Sequence, residues 1–302
     1  MRFAKWHGLG NDFVMLRDYE GRLGAPGRLP RRAVAALCDR RTGVGADGVI
    51  RVLGPEGDGE TAASGAVLRM DYYNSDGAPA EMCGNGIRCL ALLASDDGRL
   101  PDGEQAVLTG AGTRTVRLAD RGMVTVDMGI PALTREDVPM SGTGSAVDVG
   151  VELPGEGTLV GTGVSMGNPH FVLFVDEIGR DLDDDLVLGT GSRLETHDAF
   201  PERTNVEFVR VESPDELVMR VWERGVGETQ ACGTGACAVA VAAASKGRAA
   251  RRTRVRLPGG DLDIHWTPEG TVLMTGPAEQ VYEGDLSAGW LSSIGLDTEV
   301  TT

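Results

Sequence analysis

One pattern occurs twice in this chain, and any fold it adopts must accommodate both copies. An apolar, strand-like stretch (Val67 to Tyr73) runs into a loop that ends in Cys83-Gly84-Asn85-Gly86, and an apolar run begins at Ile87. A second such stretch (Leu217 to Trp222) runs into a loop that ends in Cys232-Gly233-Thr234-Gly235, and a run of small residues, Ala236 to Ser245, follows. Asn74 lies nine residues before Cys83, Glu223 lies nine before Cys232, and the two Cys stand 149 apart in 302 residues. A second echo precedes each Cys: Gly10-Asn11-Asp12-Phe13-Val14 and Gly167-Asn168-Pro169-His170-Phe171-Val172. Two matched halves predict a pseudo-twofold chain of two domains, with its site between the halves.

The run after Cys232 holds Ala and Val with no charge. Ala is the best helix former, and a helix apolar all round is buried all round. Each Cys then stands at a helix start. Free backbone N–H groups and the positive end of the helix dipole bind anions there and are expected to lower a thiol's pKa. The Gly after each Cys removes the side chain that would crowd an anion. One Cys in such a place is most often packing; two in matched contexts point to function. Cys89 and Cys237 fall further down the same helices, and Cys38 lies on the apolar face of a helix read at Arg31 to Arg40; all three read as core. No CxxC occurs, and the four His form no cluster, so no metal site is expected. His170, beside Asn168, is the one His in a suggestive context.

A net charge of −16 argues against nucleic acid or an anionic membrane surface as partner. No apolar run approaches the ~20 residues of a membrane span. Phe3 to Leu16 reads as strand, turn, strand rather than a secretion signal, so a cytoplasmic protein with reduced thiols is expected. Thr42 to Gly48 is Gly-rich but lacks both the GK[ST] and the GxGxxG order, which removes nucleotide binding. Gly54 to Gly65 reads as an exposed loop and Pro131 to Gly157 as an irregular crossover between domains. Asp181 to Leu188 reads as a short acidic helical region, and the last dozen residues as frayed.

Two equivalent acid/base groups suit the inversion of a carbon centre. One base removes a proton from one face, and one acid delivers a proton to the other. A carbanion α to a carboxylate is poor, so the site must stabilise charge as it develops, and two helix N-termini can do so without a cofactor.

Trp6-His7-Gly8-Leu9-Gly10-Asn11-Asp12-Phe13, Asn74-Ser75-Asp76-Gly77, Met82-Cys83-Gly84-Asn85-Gly86-Ile87-Arg88-Cys89, Met166-Gly167-Asn168-Pro169-His170 and Glu223 through Cys237 together resemble the diaminopimelate epimerase family over nearly the whole chain. That resemblance implies an α+β fold of two pseudo-symmetric domains. Each is a curved, mostly antiparallel β-sheet or barrel wrapped around a central helix. Residues 1–130 with 277–302 would carry Cys83, and 131–276 would carry Cys232. It implies cofactor-independent interconversion of LL- and meso-diaminopimelate in lysine and peptidoglycan biosynthesis, by a homodimer with no metal. Carried over by position, Cys83 and Cys232 are the acid/base pair. Gly84, Asn85, Gly233 and Thr234 bind the reacting carboxylate. Asn11, Asn74, Asn168, Asn205, Glu223 and Arg224 hold the far amino-acid end, a task that suits Arg for a carboxylate and Glu with amide oxygens for an ammonium. His170 is not part of that carry-over; its context reads equally as a place behind these residues or against substrate and as core. Many members carry Gln where this chain has Gly48, so a side-chain contact is expected to be missing there. Proline-racemase-like and phenazine-pathway-like isomerases share the architecture and remain the alternatives within it; a thiol-switch redox protein is the alternative outside it.

Overall fold

The structure is a computed structural model that describes residues 1–296. In chain order, β1 (Arg2–Gly8), β2 (Asn11–Arg17), α1 (Arg31–Cys38), β3 (Gly48–Leu53), α2 (Gly59–Ser64), β4 (Leu68–Asn74), β5 (Pro79–Ala80), α3 (Gly84–Asp96), β6 (Glu104–Thr109), β7 (Gly112–Ala119) and β8 (Met123–Asp127) come first. Then follow β9 (Val149–Leu153), β10 (Gly157–Ser165), β11 (Pro169–Phe174), α4 (Gly191–Glu195), β12 (Asn205–Ser213), β13 (Glu216–Glu223), β14 (Gly227–Glu228), α5 (Gly233–Ser245), β15 (Arg252–Leu257), β16 (Gly260–Trp266) and β17 (Val272–Pro277). The chain closes with β18 (Glu279–Asp285) and α6 (Ala288–Ile294). It divides into two compact units, one built from Met1–Val126 with the chain from Gly276, the other from Asp127–Thr275. The fold is α+β.

The first unit is ordered by its pairings. β18 lies antiparallel to β1 and β1 to β2; β2 runs parallel to β3; β3 is antiparallel to β4; β4 runs parallel to β6; β6, β7 and β8 follow antiparallel. β5 folds back on the end of β4. The second unit repeats this order of directions. β9, β10 and β11 are antiparallel, β11 is parallel to β12, β12 antiparallel to β13, β13 parallel to β15, and β15 to β17 antiparallel. β14 folds back on the end of β13 as β5 does on β4. The duplication in the sequence is thus a duplication of strand order and direction.

In each unit one helix sits against many strands. α3 packs on β1, β2, β3 and β7, and α5 on β10, β11, β12, β13, β15 and β16. A helix inside a curved sheet has no solvent face, which is why α5 needs nothing but small and apolar residues: Ala236 to Ala243 are all buried. Small side chains let the strands approach from every side. α1 and α6 close the outer core of the first unit, with Val34, Leu37, Leu291 and Ile294 buried together. A π-helical turn (Asp185–Thr190) leading into α4 covers the core of the second.

Three regions depart from the sequence reading. Gly54 to Gly65 holds α2, capped by Asp58, whose carboxylate accepts from the Thr61 amide, and closed by Gly65 in the left-handed region at φ 74°. Pro131 to Gly157 contains β9, whose buried Val149, Val151 and Leu153 alternate with exposed neighbours. The reading of a frayed terminus is wrong for α6, which Ser287 caps and Gly295 ends; residues 297–302 lie outside the described residues.

Candidate active site

In the first unit the site starts from a hairpin. Leu9 and Gly10 both take positive φ, 56° and 85°, the two-residue turn whose twist matches paired strands. It delivers Asn11 to the start of β2. The Asn11 Nδ2 donates to Asp47 Oδ2 at 2.9 Å. A carboxylate only accepts, so this bond turns the Asn11 carbonyl the other way. There Asn11 Oδ1 accepts from Cys83 Sγ at 3.5 Å and from Asn85 Nδ2 at 3.2 Å. Cys83 is the N-cap of α3, half-buried, with extended backbone, and its carbonyl accepts from Ile87 N at 2.9 Å. Arg88, fully buried, donates to Gly84 O and Asn85 Oδ1 and so fixes the first turn from beneath.

Behind Asn11 lies a charge cluster. Arg40 spans Asp12 and Asp47, and Lys5 reaches Asp12 at 2.7 Å. Burial pushes the Asp12 carboxyl up, but Arg40 and Lys5 outweigh it and hold it well below the usual carboxylate range. Asn74, at the end of β4, is exposed and accepts from Tyr72 Oη at 2.9 Å. The strand position of Gly48 explains its missing side chain. A Cβ there would lie 2.6 Å from Tyr73 O and 2.8 Å from the Tyr72 ring. The Tyr72 ring fills that space.

In the second unit Cys232 caps α5 in the same way, its carbonyl accepting from Ala236 N at 3.0 Å. Its Sγ accepts from Gly235 N at 3.4 Å and lies 3.5 Å from Thr234 Oγ1. Thr234 Oγ1 accepts from Asn168 Nδ2 at 3.3 Å, and Asn168 Oδ1 faces His170 Nε2 at 3.0 Å. His170 Nδ1 faces Glu207 Oε1 at 2.6 Å, both side chains fully buried. Glu223, at the end of β13, accepts from Thr229 Oγ1. Asn205 is buried, with Nδ2 on Pro169 O and Oδ1 accepting from Arg224 N. The Arg224 side chain is exposed and donates to Glu202 O.

The expectation that a helix start lowers the thiol pKa fails for Cys232. Burial pushes it well above the ordinary thiol value, Glu223 and Glu207 add to the rise, and the bonds from Thr234 and Gly235 pull back only part of it. Burial likewise raises Glu223, with Glu207 adding, against the pull of Thr229 and His170. Two carboxyl groups and little water outweigh a helix dipole that contributes about 0.3–1 kcal/mol. Cys38, Cys89 and Cys237 are buried, as read; burial pushes Cys38 up to about 12 and Cys89 higher still.

The expected residues therefore form two local clusters. Cys83, Gly84, Asn85 and Asn11 meet in the first unit, with Asn74 close by in sequence to the same turn. Cys232, Gly233, Thr234, Asn168 and His170 meet in the second, and Asn205 holds Arg224. Two residues the sequence reading did not single out complete them. Asp47 orients Asn11, and its signal was only a lone acid in a Gly-rich loop. Glu207 lies within Val206 to Val209, a strand run that is otherwise apolar and fully buried, and an acid in such a run is a stronger signal.

Residues 3–134 and 162–281 match the family model described as diaminopimelate epimerase. The chain belongs to the diaminopimelate epimerase family. It is 50% identical over 289 residues to the diaminopimelate epimerase of Desulforudis audaxviator, covering 94% of this chain and 98% of the relative. It is 50% identical over 291 residues to that of Moorella thermoacetica, with 94% and 99% covered. Among solved structures it is similar to a hydroxyproline epimerase from Agrobacterium vitis (TM-score 0.66, 14% identity, 95% of this chain and 91% of that one). It is also similar to a phenazine biosynthesis protein from Bacillus anthracis (TM-score 0.61, 15% identity, 95% and 99%). At those identities the two structures speak for the fold alone, while the sequence relatives place this member among the diaminopimelate epimerases rather than the racemases and phenazine enzymes that share its architecture.

Proposed function

We propose that this chain interconverts LL- and meso-diaminopimelate by a two-base reaction in which each unit supplies one thiol. One observation carries the reading: in each unit a Cys caps a buried helix, a Gly follows it, and an Asn from the preceding turn is tied into its surroundings. Inversion at the α-carbon needs two proton carriers, one acting on each face. A thiolate takes the proton, and a thiol returns one from the opposite side. The amides of Gly84, Asn85, Gly233 and Thr234, at helix N-termini, would meet the carboxylate on which charge builds.

The two thiols differ in setting. Cys232 is buried, and Glu223 and Glu207 hold it protonated, so it enters the reaction as the proton donor. Cys83 is half-buried and faces an amide carbonyl. The reverse reaction exchanges the roles, and the two titrations belong to the pair. Asn74, Asn205, Glu223 and Arg224 are assigned to the distal amino-acid end. A homodimer and a cytoplasmic location are part of the same proposal; among the described residues no helix is long and apolar enough to cross a membrane.

The test uses LL-diaminopimelate in heavy water with the full chain. Deuterium should enter the α position as the meso isomer forms. Cys83→Ala and Cys232→Ala should each abolish epimerisation. If either Ala variant kept near-full turnover in both directions, the two-base assignment would be wrong.

A further inference from the structure

Beyond its share in keeping Cys232 protonated, Glu207 is given no role above, yet it sits against the helix that carries Cys232. Its carboxylate is fully buried; Oε1 meets His170 Nδ1 at 2.6 Å, and Oε2 has no hydrogen-bond partner. A Cβ on Gly235 would lie 2.8 Å from Oε1, so the acid touches the first turn of α5. A buried acid with an orphan oxygen weakens a fold. An apolar side chain would serve packing better, so packing does not account for it.

The hydrogen bonds run in one line from Glu207 through His170, Asn168 and Thr234 to the Cys232 sulfur. Their directions are constrained. Asn168 Oδ1 only accepts, so His170 Nε2 must carry a proton. With Nε2 protonated, the 2.6 Å contact at Nδ1 holds one further proton, on the ring or on the acid. Asn168 then has its Nδ2 toward Thr234, whose oxygen accepts. The one hydroxyl proton of Thr234 is left free to point at sulfur. If the Asn168 amide turned over, its carbonyl would claim that proton, and the Gly235 amide would be the sulfur's remaining donor, beside its contact with Glu223.

The geometry points to Glu207 as a positioning residue for Cys232: with His170 it locks the Asn168 amide so that the Thr234 hydroxyl donates to the sulfur. This rests on the two-base reading for its effect on turnover, though not for the state of the ring. The lock helps when Cys232 is a thiolate, since a hydrogen bond to a charged acceptor is among the stronger ones. The ionisable groups around it are Glu207 on β12, His170 on β11, Glu223 on β13 and Cys232 at the head of α5. The charges of the first two are felt at the other two: Glu207 raises both Glu223 and Cys232, and His170 lowers Glu223.

The ring nitrogens of His170, assigned by the signals lost in His170→Asn, test the lock by nitrogen-15 NMR of the full chain. Nε2 should carry a proton from pH 6 to 9; a bare Nε2 overturns the proposal, and this measurement stands whether or not any variant folds. Glu207→Leu should lower kcat for epimerisation about 10- to 100-fold while KM stays within about 3-fold. Glu207→Gln should recover most of the loss, because its amide can donate to Nδ1 and keep Nε2 protonated. Thr234→Val removes the hydroxyl, and adding Glu207→Leu to it should then cost no further turnover. Additive losses, or Glu207→Leu within twofold of the unsubstituted chain, would overturn the proposal. If the unsubstituted chain shows no epimerisation at all, the functional reading fails while the ring spectrum still decides the lock.

Discussion

Gly235 and Glu207 together give a stability prediction whose sign is unusual. A helical Gly→Ala change ordinarily stabilises by roughly 0.5–1 kcal/mol, since Gly loses more backbone freedom on folding. At Gly235 the added methyl would meet Glu207 Oε1 at 2.8 Å and Cys232 Sγ at 3.3 Å. A methyl and an oxygen need several tenths of an ångström more. The carboxylate can yield only by swinging away from His170, which misaligns its 2.6 Å bond. Losing a hydrogen bond of that charge-assisted kind costs about 1.5–3 kcal/mol. Set against the helix gain, Gly235→Ala should destabilise by about 1–2 kcal/mol. For a chain of 302 residues that is a fall in Tm of about 1.5–3 °C. Thermal melting followed by circular dichroism reads it directly. The check on the reasoning is the double variant Glu207→Ala with Gly235→Ala. With the acid gone, the methyl meets only Cys232, its Cβ and Sγ both at 3.3 Å, and its penalty should shrink by at least about 1 kcal/mol, a coupling well above the usual error of additivity. A Gly235→Ala protein that melts higher than the parent, or a cycle with no coupling, would refute the placement of the carboxylate under the helix start.

Three further outcomes are expected. Cys232 should react with iodoacetamide more slowly than an ordinary thiol at pH 8 and accelerate only above pH ~9, because burial, Glu223 and Glu207 hold it protonated; rapid alkylation at pH 7 would contradict this. The same raised thiols make the fold lose stability on the alkaline side. Their folded-state pKa lies above the unfolded value, so their contribution is whole below about pH 9 and is lost as pH climbs, for Cys38 through about 12; a Tm that stays flat or rises from pH 9 to 11 would count against it. Asp47→Ala should free the Asn11 amide to turn, losing an interaction worth roughly 1.5 kcal/mol and about 10-fold in kcat, whereas kinetics within twofold of the parent would remove Asp47 from the site.

The matched Cys-Gly-x-Gly blocks were enough, as sequence, to place two helices with a thiol at the head of each. The all-small run from Ala236 to Ser245 was enough to say that one of them is buried on every side. These are local facts: a helix start is written in a few consecutive residues, and burial shows in the absence of any polar face. The alternation of Val149, Val151 and Leu153 and the capping Asp58 were missed, because both lie in stretches whose Gly and Pro content reads as loop. What no local pattern can hold is which distant side chain meets a thiol. Glu207 lies 25 residues from Cys232 along the chain, and only the parallel pairing of β11 with β12 sets it against His170. The protonation of Cys232 follows from that same packing. The helix dipole belongs to the sequence and argues for a thiolate. The desolvation and the two carboxyl groups belong to the tertiary structure, act at close range in little water, and win.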